Sequence, residues 1–508
     1  MSYSIYLALA AATAGLRNPP DQSVADAPDL ADDLQPALQR ITALVERFRQ
    51  GPITPHSTAQ FEKDLLLASR ELGRRVVGWT YNRLEPADVP ALPQEVRFHG
   101  STFRRLGKKT PQEVSTLFGP ISLRRLGYRA APAQGAPVLF PLCRQLGIAH
   151  SASPAVLECV GRYQAETGAT QKQTLQRLRR EHGLKWGVKR LRQVTDFVAE
   201  LVGEHREAAQ AEQVLAWLAQ AEASRGRHRP VLAVGRDGIT LGLRIKRGAI
   251  YEVATTATLS VYDRKGRRLG TVYLAYTPEP GQATMSSQLT RLLQEVLRRL
   301  RGPVPRLSYV TDAGESETTY YRKVLRRMRH PLTGKRLPWQ WVVDYYHAAL
   351  RLRTMAEALF GAGQRSYAWA RKMRKLLLKP GGVGRVLHSA AALRGRHKPR
   401  GKRLKEFRRA YRYLQKRRKH MRYAEYRRLG VPIGSGVTEA ACKTVYTQRL
   451  KLSGMRWKKA GAQTILTLRV ILLSGIWSQV FEQALKGFCE VTVRAPGLQA
   501  HADARKRA

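Results

Sequence analysis

Apolar positions change their spacing twice along the chain, and the changes predict where it divides. From Leu38 to about Arg83, Ile41, Leu44, Val45, Phe48, Leu65, Leu66 and Leu72 recur at helical spacing. Phe98–Tyr128 instead alternates short β-prone pieces with basic residues, as in Phe103-Arg-Arg, Lys108-Lys109 and Ile121-Ser-Leu-Arg-Arg-Leu-Gly-Tyr128, and predicts a small, exposed, basic hairpin. Residues 151–203 return to helical spacing. Within them Gly168–Arg180, a break at His182-Gly183 and Gly187–Val194 have helix-turn-helix spacing, with Lys172, Gln173 and Lys189 on the exposed side. An Ala/Glu/Gln-rich helix continues to 224, and Arg225-Gly-Arg-His-Arg-Pro230 forms a linker.

From 231 the spacing turns to strands. Val231–Asp237 with Ile239–Ile245 make a first, Ala249–Tyr262 a second and Leu269–Tyr276 a third, with Asp263-Arg-Lys-Gly266 as the hairpin turn. Leu289, Leu292, Leu293, Val296, Leu297 and Leu300 lay one apolar stripe along a helix over Gln288–Leu300. Leu307–Asp312 follows as a strand, Thr318–Met328 as a helix and Trp339–Asp344 as a fifth strand. Tyr345 to about Arg428 is helical in composition, with breaks at Gly361–Gly363 and Pro380–Gly384. The expected division is a mobile lead-in over 1–36 and a mainly helical region over 37–228, with its basic hairpin near 98–128. An α/β core over 229–344, a basic helical insertion over 345–430, the C-terminal helices of the core over 431–490 and a disordered tail over 491–508 complete it.

Charge then narrows the partners. The 508 residues carry 89 Lys+Arg against 38 Asp+Glu, a net charge of +51, with a hydrophobic share of 43% that suffices for real cores. An enzyme of small molecules has little use for such a field; a polyanion explains it, through phosphate neutralisation and counterion release. Arg394–Arg428 alone holds 17 Lys/Arg against Glu406 and Glu425, interleaved with Tyr411, Tyr413, Tyr423 and Tyr426, and suits a phosphate-tracking surface built around Lys416, Arg417, Arg418 and Lys419. Cys143, Cys159, Cys442 and Cys489 form no Cys-x-x-Cys pair, so neither a zinc ribbon nor a disulfide framework is expected. Met1–Gly15 is mildly apolar without a basic start, and no later stretch reaches the roughly 18 apolar residues of a span. These readings predict a cytoplasmic protein with no membrane partner.

The chemistry gathers at strand ends. Val231-Leu-Ala-Val-Gly-Arg-Asp237 and Leu307-Ser-Tyr-Val-Thr-Asp312 each run apolar into an aspartate, and Pro432-Ile-Gly-Ser-Gly-Val-Thr-Glu439 opens with glycines into a helix that carries a glutamate. An aspartate at a strand end is by itself more often a turn cap. On adjacent strands two bare carboxylates repel, and a divalent cation is the simplest way to keep both ionised. Gly434 and Gly436 are expected to let the backbone approach closely.

Asp237-Gly238, Thr311-Asp312-Ala-Gly, Asp344-Tyr-Tyr-His347-Ala, and Gly434-Ser-Gly-Val-Thr-Glu439 continuing to Leu452-Ser-Gly-Met-Arg-Trp457 resemble the motifs of DDE transposases of bacterial insertion sequences, Mutator-like and of the Kra-type branch. The resemblance covers 231–478 well and 98–200 more loosely. It implies a ribonuclease H-like catalytic core, a mixed five-stranded sheet with flanking helices, carrying a helical insertion and preceded by a mainly helical region. It also implies that Asp237, Asp312 and Glu439 bind two Mg²⁺ ions, with Mn²⁺ as substitute, for in-line attack on DNA. The partners implied are double-stranded DNA, at the element's terminal inverted repeats and at the target, and further copies of the chain on that DNA. His347 either orients the scissile phosphate or donates a proton, or is a structural partner of Asp344. Arg456 and Trp457 either contact the element's end or, for Trp457, pack in the core. Two departures stand out: Arg236 precedes the first acid, and the cysteine-rich ribbon of many relatives is absent. A structure-selective nuclease on the same fold and a non-catalytic, transposase-derived DNA-binding protein are the alternatives.

Overall fold

The computed structural model describes residues 29–130, 138–489 and 492–493. The chain falls into two units, one running to Leu142 and taking in the chain from Val493, the other Cys143–Thr492.

The first unit opens with a helical hairpin, α1 (Leu30–Gln50) and α2 (Pro55–Asn82). Asp29 caps α1, and Asp32 and Asp33 in its first turn favour the positive end of the helix dipole, so the chain is already helical within the expected 1–36 lead-in. Thr54 and Ser57 form a capping box with Pro55 at the first helical position, which fixes the start of α2. Three antiparallel strands follow: β1 (Glu95–Phe98), β2 (Ser101–Thr116) and β3 (Gly119–Ala130). The β2–β3 hairpin is long, paired from Phe103↔Ala130 to Thr116↔Gly119 with a bulge between Arg105 and Lys109. Val114, Ile121, Leu123, Leu126 and Tyr128 are buried along it. Lys109 is not part of an exposed basic surface: its ammonium is buried 3.4 Å from the Glu85 carboxylate. Of the expected tail over 491–508, Thr492–Val493 form a short strand and the rest lies outside the described residues.

The second unit is α/β. Its sheet is built from β4 (Val231–Arg244), β5 (Ala249–Tyr262), β6 (Arg268–Tyr276), β7 (Arg306–Thr311) and β8 (Gln340–Val343), in the order β6-β5-β4-β7-β8. β4, β5 and β6 pair antiparallel; β7 and β8 add in parallel on the other side of β4. The first strand is continuous through Asp237, because its pairing with β5 runs unbroken from Val231↔Tyr262 to Arg244↔Ala249. Two apolar clusters pack on the sheet. One includes Leu232, Leu259, Leu289, Leu293 and Leu307, the other Leu241, Leu243, Val445, Tyr446 and Ile465.

Three helices precede the sheet within this unit: α3 (Pro154–Ala165), α4 (Gln171–His182) and α5 (Val188–Ala223). The expected boundary at 228 is not where the chain divides. α5 is one 36-residue helix whose Val202, Ala209, Val214, Leu218 and Ala221 are buried, and Gln210 donates to the Tyr273 carbonyl at 2.7 Å. Ala211, Val214, Leu218 and Ala221 join the core of the sheet, so the helix is spent on this unit rather than on a separate N-terminal domain. α4 does end at a left-handed Gly183, but Gln173 is occupied as the capping partner of Thr170.

Helix α6 (Ala283–Arg299) joins β6 to β7, and α7 (Glu315–Lys323) joins β7 to β8. After β8 the chain enters the helical segment: α8 (Tyr345–Phe360), α9 (Gln364–Leu377), α10 (Gly382–His397), α11 (Gly401–Arg417) and α12 (Tyr423–Arg428). Two of its interleaved tyrosines are not surface aromatics. Tyr423 and Tyr426 are buried and donate to the Val343 and Trp341 carbonyls at the sheet edge, at 2.9 and 3.3 Å. Next come α13 (Gly436–Ala441), which runs on through a π-helical stretch Cys442–Thr447 to Gln448–Leu450, then α14 (Lys459–Leu473) and α15 (Trp477–Lys486). Arg449 and Arg469, both buried, donate to the Gln164 and Ala165 carbonyls at 2.8 and 2.6 Å, capping the negative end of α3. Among the described residues no single helix is long and apolar enough to cross a membrane. The pair α14 and α15 would pass only together, across a 115° bend, and its apolar residues are largely core.

Candidate active site

Asp237 and Asp312 come from adjacent parallel strands. Gly235 pairs with Val310, so two further residues on each chain bring the aspartates side by side. The Gly238 amide donates to Asp237 Oδ1 at 2.7 Å and the Gly314 amide to Asp312 Oδ1 at 2.9 Å, so the backbone fixes one oxygen of each. Burial, then the charges of Asp312 and Glu439, push the Asp237 carboxyl above its ordinary range, against opposing hydrogen bonds from Gly238 and Cys442. The Cys442 thiol lies 3.4 Å from Asp237 Oδ2. It sits three residues after Glu439, and the i,i+3 spacing puts both on one side of the helix.

The charge of Glu439 acts on Asp237 because α13 lies directly on the sheet. A side chain on Gly235 would overlap Thr438 Oγ1, and Thr438 bonds Thr258 of β5 at 2.8 Å. The glycine that permits the close approach is thus Gly235. Gly436, expected to do so, faces open space, and Gly434 lies against the Tyr346 ring.

Asp344, at the end of β8, has a different role. It is fully buried. Its Oδ1 accepts from the His347 amide at 2.8 Å; its Oδ2 accepts from the Ser435 hydroxyl at 2.6 Å and from the Ser435 amide. Burial alone would raise its pKa, but the His347 imidazole beside it, then the Ser435 hydroxyl and the two amides, outweigh it and hold the carboxyl at about 2. It therefore ties the start of α8 to the Gly434-Ser435 turn, and so His347 to Glu439. His347 Nδ1 stands 3.5 Å from Asp344 and 3.4 Å from Glu439 Oε1, and this buried nitrogen has no hydrogen-bond partner among the described residues. The Asp344 carboxylate raises the His347 pKa above its ordinary value, against the opposing effect of burial. The same Ser435 hydroxyl lies 2.8 Å from Glu439 Oε1, so its single proton is shared between two carboxylates. Asp344, His347 and Glu439 bring ligand atoms within 4.8 Å of one another and could hold a metal ion. With both Asp344 oxygens already engaged, His347 and Glu439 are its open members, and the Asp237–Asp312–Glu439 trio is more widely spread than this tight group.

Opposite the acids stands α11. A cleft of about 610 Å³ is lined by Asp312, Ala313, Gly314 and His347 on one side and by Lys405, Arg408, Arg409, Arg412, Lys416 and Arg417 on the other. The cations recur every three or four residues, so one helix face carries them. Of this wall only Lys416 and Arg417 are expected from the basic run, although the spacing of 405, 408, 412 and 416 is legible in the sequence. Arg417 is also structural: it donates to the Ala313 carbonyl at 2.7 Å, while Tyr413 donates to the Asp312 carbonyl at 2.6 Å. Between them they hold Ala313, buried and at φ 62°, in a left-handed conformation that alanine rarely adopts. Arg418 and Lys419 are exposed on the next turn and do not line the cleft. Arg456 is exposed; Trp457 packs on the Leu241–Ile465 cluster, and its indole N–H donates to the Leu450 carbonyl at 3.1 Å. That spends the ring on packing. No family model matches the chain, and no curated protein matches it.

Proposed function

We propose that the chain is a transposase of a bacterial insertion sequence, cutting and joining DNA by metal-dependent phosphoryl transfer on a ribonuclease H-like core. The observation that carries this reading is one cleft lined both by the Asp312 carboxylate, just past the end of β7, with His347, and by the exposed cations of α11, while Asp237 of the neighbouring strand stands beside Asp312. A strand order of three antiparallel strands followed by two parallel ones supports the fold, and the position of the helical segment between β8 and α13 supports the resemblance to the Kra-type branch.

The donor set fits a hard divalent cation: carboxylate oxygens dominate it, and they are crowded enough that burial and mutual charge raise Asp237. Asp237, Asp312 and Glu439 would hold Mg²⁺, which supplies activation of a water or 3′-hydroxyl and neutralisation of the leaving oxygen. The remaining work belongs to the chain's own groups. The α11 cations bind the phosphates on either side of the scissile bond and draw the strand against the acids. Asp344 fixes the backbone of His347 at the start of α8 and places its carboxylate beside the ring. His347, its pKa raised, presents a proton or a hydrogen bond to the phosphate. The test is an oligonucleotide carrying a terminal repeat, incubated with protein, Mg²⁺ and a target plasmid. Cleavage followed by joined products supports a transposase. Cleavage without joining points to a nuclease, and binding without either to a non-catalytic DNA-binding protein.

A further inference from the structure

Behind the acids lies a second charged layer. Arg236 is 1% exposed, yet its hydrogen bonds go to neutral groups, Ser286 Oγ at 3.1 Å and Gln282 Oε1 at 2.8 Å. Its guanidinium carbon stands 4.6 Å from the centre of the Tyr320 ring, and its Nε has no hydrogen-bond partner among the described residues. Alternation along β4 sends Arg236 to the face opposite Asp237. Gln282, which holds it, is itself buried and in a left-handed conformation at φ 53°, a backbone cost accepted at the N-cap of α6.

The other member is Glu317, in the first turn of α7 and 7% exposed. A side chain on Gly314 would overlap Glu317 Oε2 and touch Asp312 Oδ1, so the two carboxyls border the same glycine. Burial raises the Glu317 carboxyl, the charge of Asp312 adds to this, and Arg236 pulls it back. A buried guanidinium without a bonded carboxylate, and a buried carboxyl without a bonded cation, are each costly alone. Their cost is offset if each acts on the acids in front of them.

We infer that Arg236 and Glu317 are positioning residues of the acid centre, setting from behind the charge that Asp237 and Asp312 present to a divalent cation. The inference rests on the reading of those aspartates as cation-holding. Glu317 adds negative potential and draws the cation in; Arg236 subtracts from it and keeps the crowded carboxylates compatible before the cation arrives.

The two charges have opposite signs, and so must their removal. Mn²⁺ binding to the full-length protein, followed by electron paramagnetic resonance of the free ion, reads this without any reaction. Glu317→Gln should weaken Mn²⁺ binding and Arg236→Met should tighten it, each by on the order of tenfold for a unit charge at this range. The double variant should return near the parent. A role in packing alone would shift both variants the same way or not at all, and either result overturns the inference. Asp312→Asn serves as the reference: if the parent binds no Mn²⁺, or binds it equally well with that change, the reading of the acid centre itself falls, and this inference with it. Should Arg236→Met not fold, Glu317→Gln, a near-isosteric change, still decides: unchanged or tighter binding overturns the inference.

Discussion

The two walls of the cleft are organised in opposite ways. On the acid side Asp312 in the cleft is immobilised by Gly314, and so are the acids grouped with it: Asp237 by Gly238 and Cys442, Glu439 beside Ser435, and the helix under Glu439 by Thr438 against β5. On the basic side Lys405, Arg408, Arg409, Arg412 and Lys416 are exposed, whereas Arg417 is anchored into the fold. Geometry matters where bonds are to be made and broken, and a fixed carboxylate costs no reorganisation at that moment. A polyanion held by its overall charge needs density of cations rather than exact placement, and long mobile side chains provide it. The comparison teaches that a single substitution on the acid side should act on rate, and one on the basic side on affinity.

The strongest way to break that distinction is Asp312→Asn. Under the proposed reading it should lower cleavage by about a thousandfold or more while DNA affinity stays within about threefold, as expected when transition-state stabilisation alone is removed. Paired rate and gel-shift measurements decide this; an equal drop in both would erase the difference between the walls. Gly235→Ala tests whether immobility itself matters. The added methyl would displace Thr438 and α13, costing about 1–3 kcal/mol of stability and most of the activity. Combining it with Thr438→Ala removes the overlapping hydroxyl and should recover part of the melting temperature.

Asp344 sharpens the acid side further through pH. Its folded pKa is depressed to about 2, so its contribution is present above the unfolded value of about 3.9 and is lost as pH falls through the folded one. Asp344→Asn should therefore be less stable by about 2 kcal/mol near neutral pH, with the gap to the parent closing between about pH 4 and pH 2. Denaturant unfolding across that range measures it, and a gap that does not close would mean the carboxylate is not the group at work. The smallest effect belongs to the basic wall. Arg408→Gln, Arg412→Gln and Lys416→Gln together should flatten the plot of log affinity against log salt by up to about 0.9 for each phosphate left unneutralised. Arg418→Gln with Lys419→Gln, which lie outside the cleft, should change it less.

Much of the second unit is legible in the sequence because its signals are local. The strand read over Ala249–Tyr262 has the bounds of β5, since alternation and flanking turns define an antiparallel strand without help from elsewhere. What escapes depends on partners far away in sequence. The first strand is read on through Ile239–Ile245, as β4 is, but that Asp237 therefore sits in mid-strand and not at a strand end shows only in its pairing with Thr256 of β5. Periodicity shows that α5 has an apolar face and not what that face meets, so the sequence alone leaves this helix in an N-terminal region. Tyr423 and Tyr426 read as surface aromatics among cations; they are buried because their hydroxyls find carbonyls on β8. In the site, the acids can be named from the apolar runs that lead into two of them and the helix start that carries the third. The closely packed glycine cannot: Gly436 sits beside Glu439 in sequence, whereas Gly235 meets Thr438 only once the chain has folded.

That late meeting has a consequence for how the protein is made. Asp237 leaves the ribosome well before Glu439; at roughly 5–20 residues per second the interval is on the order of 10–40 s. For most of it α11 is not yet made: Arg417 precedes Glu439 by only 22 residues, so the helix is complete about 1–4 s before the glutamate, while the groove in which α13 will settle, floored by Gly235, still stands open. Under the proposed reading, a chain ended between Arg417 and Glu439 would carry the cations that hold nucleic acid and lack the glutamate needed to act on it. Only termination inside that short stretch would yield copies that compete with complete ones for the same DNA.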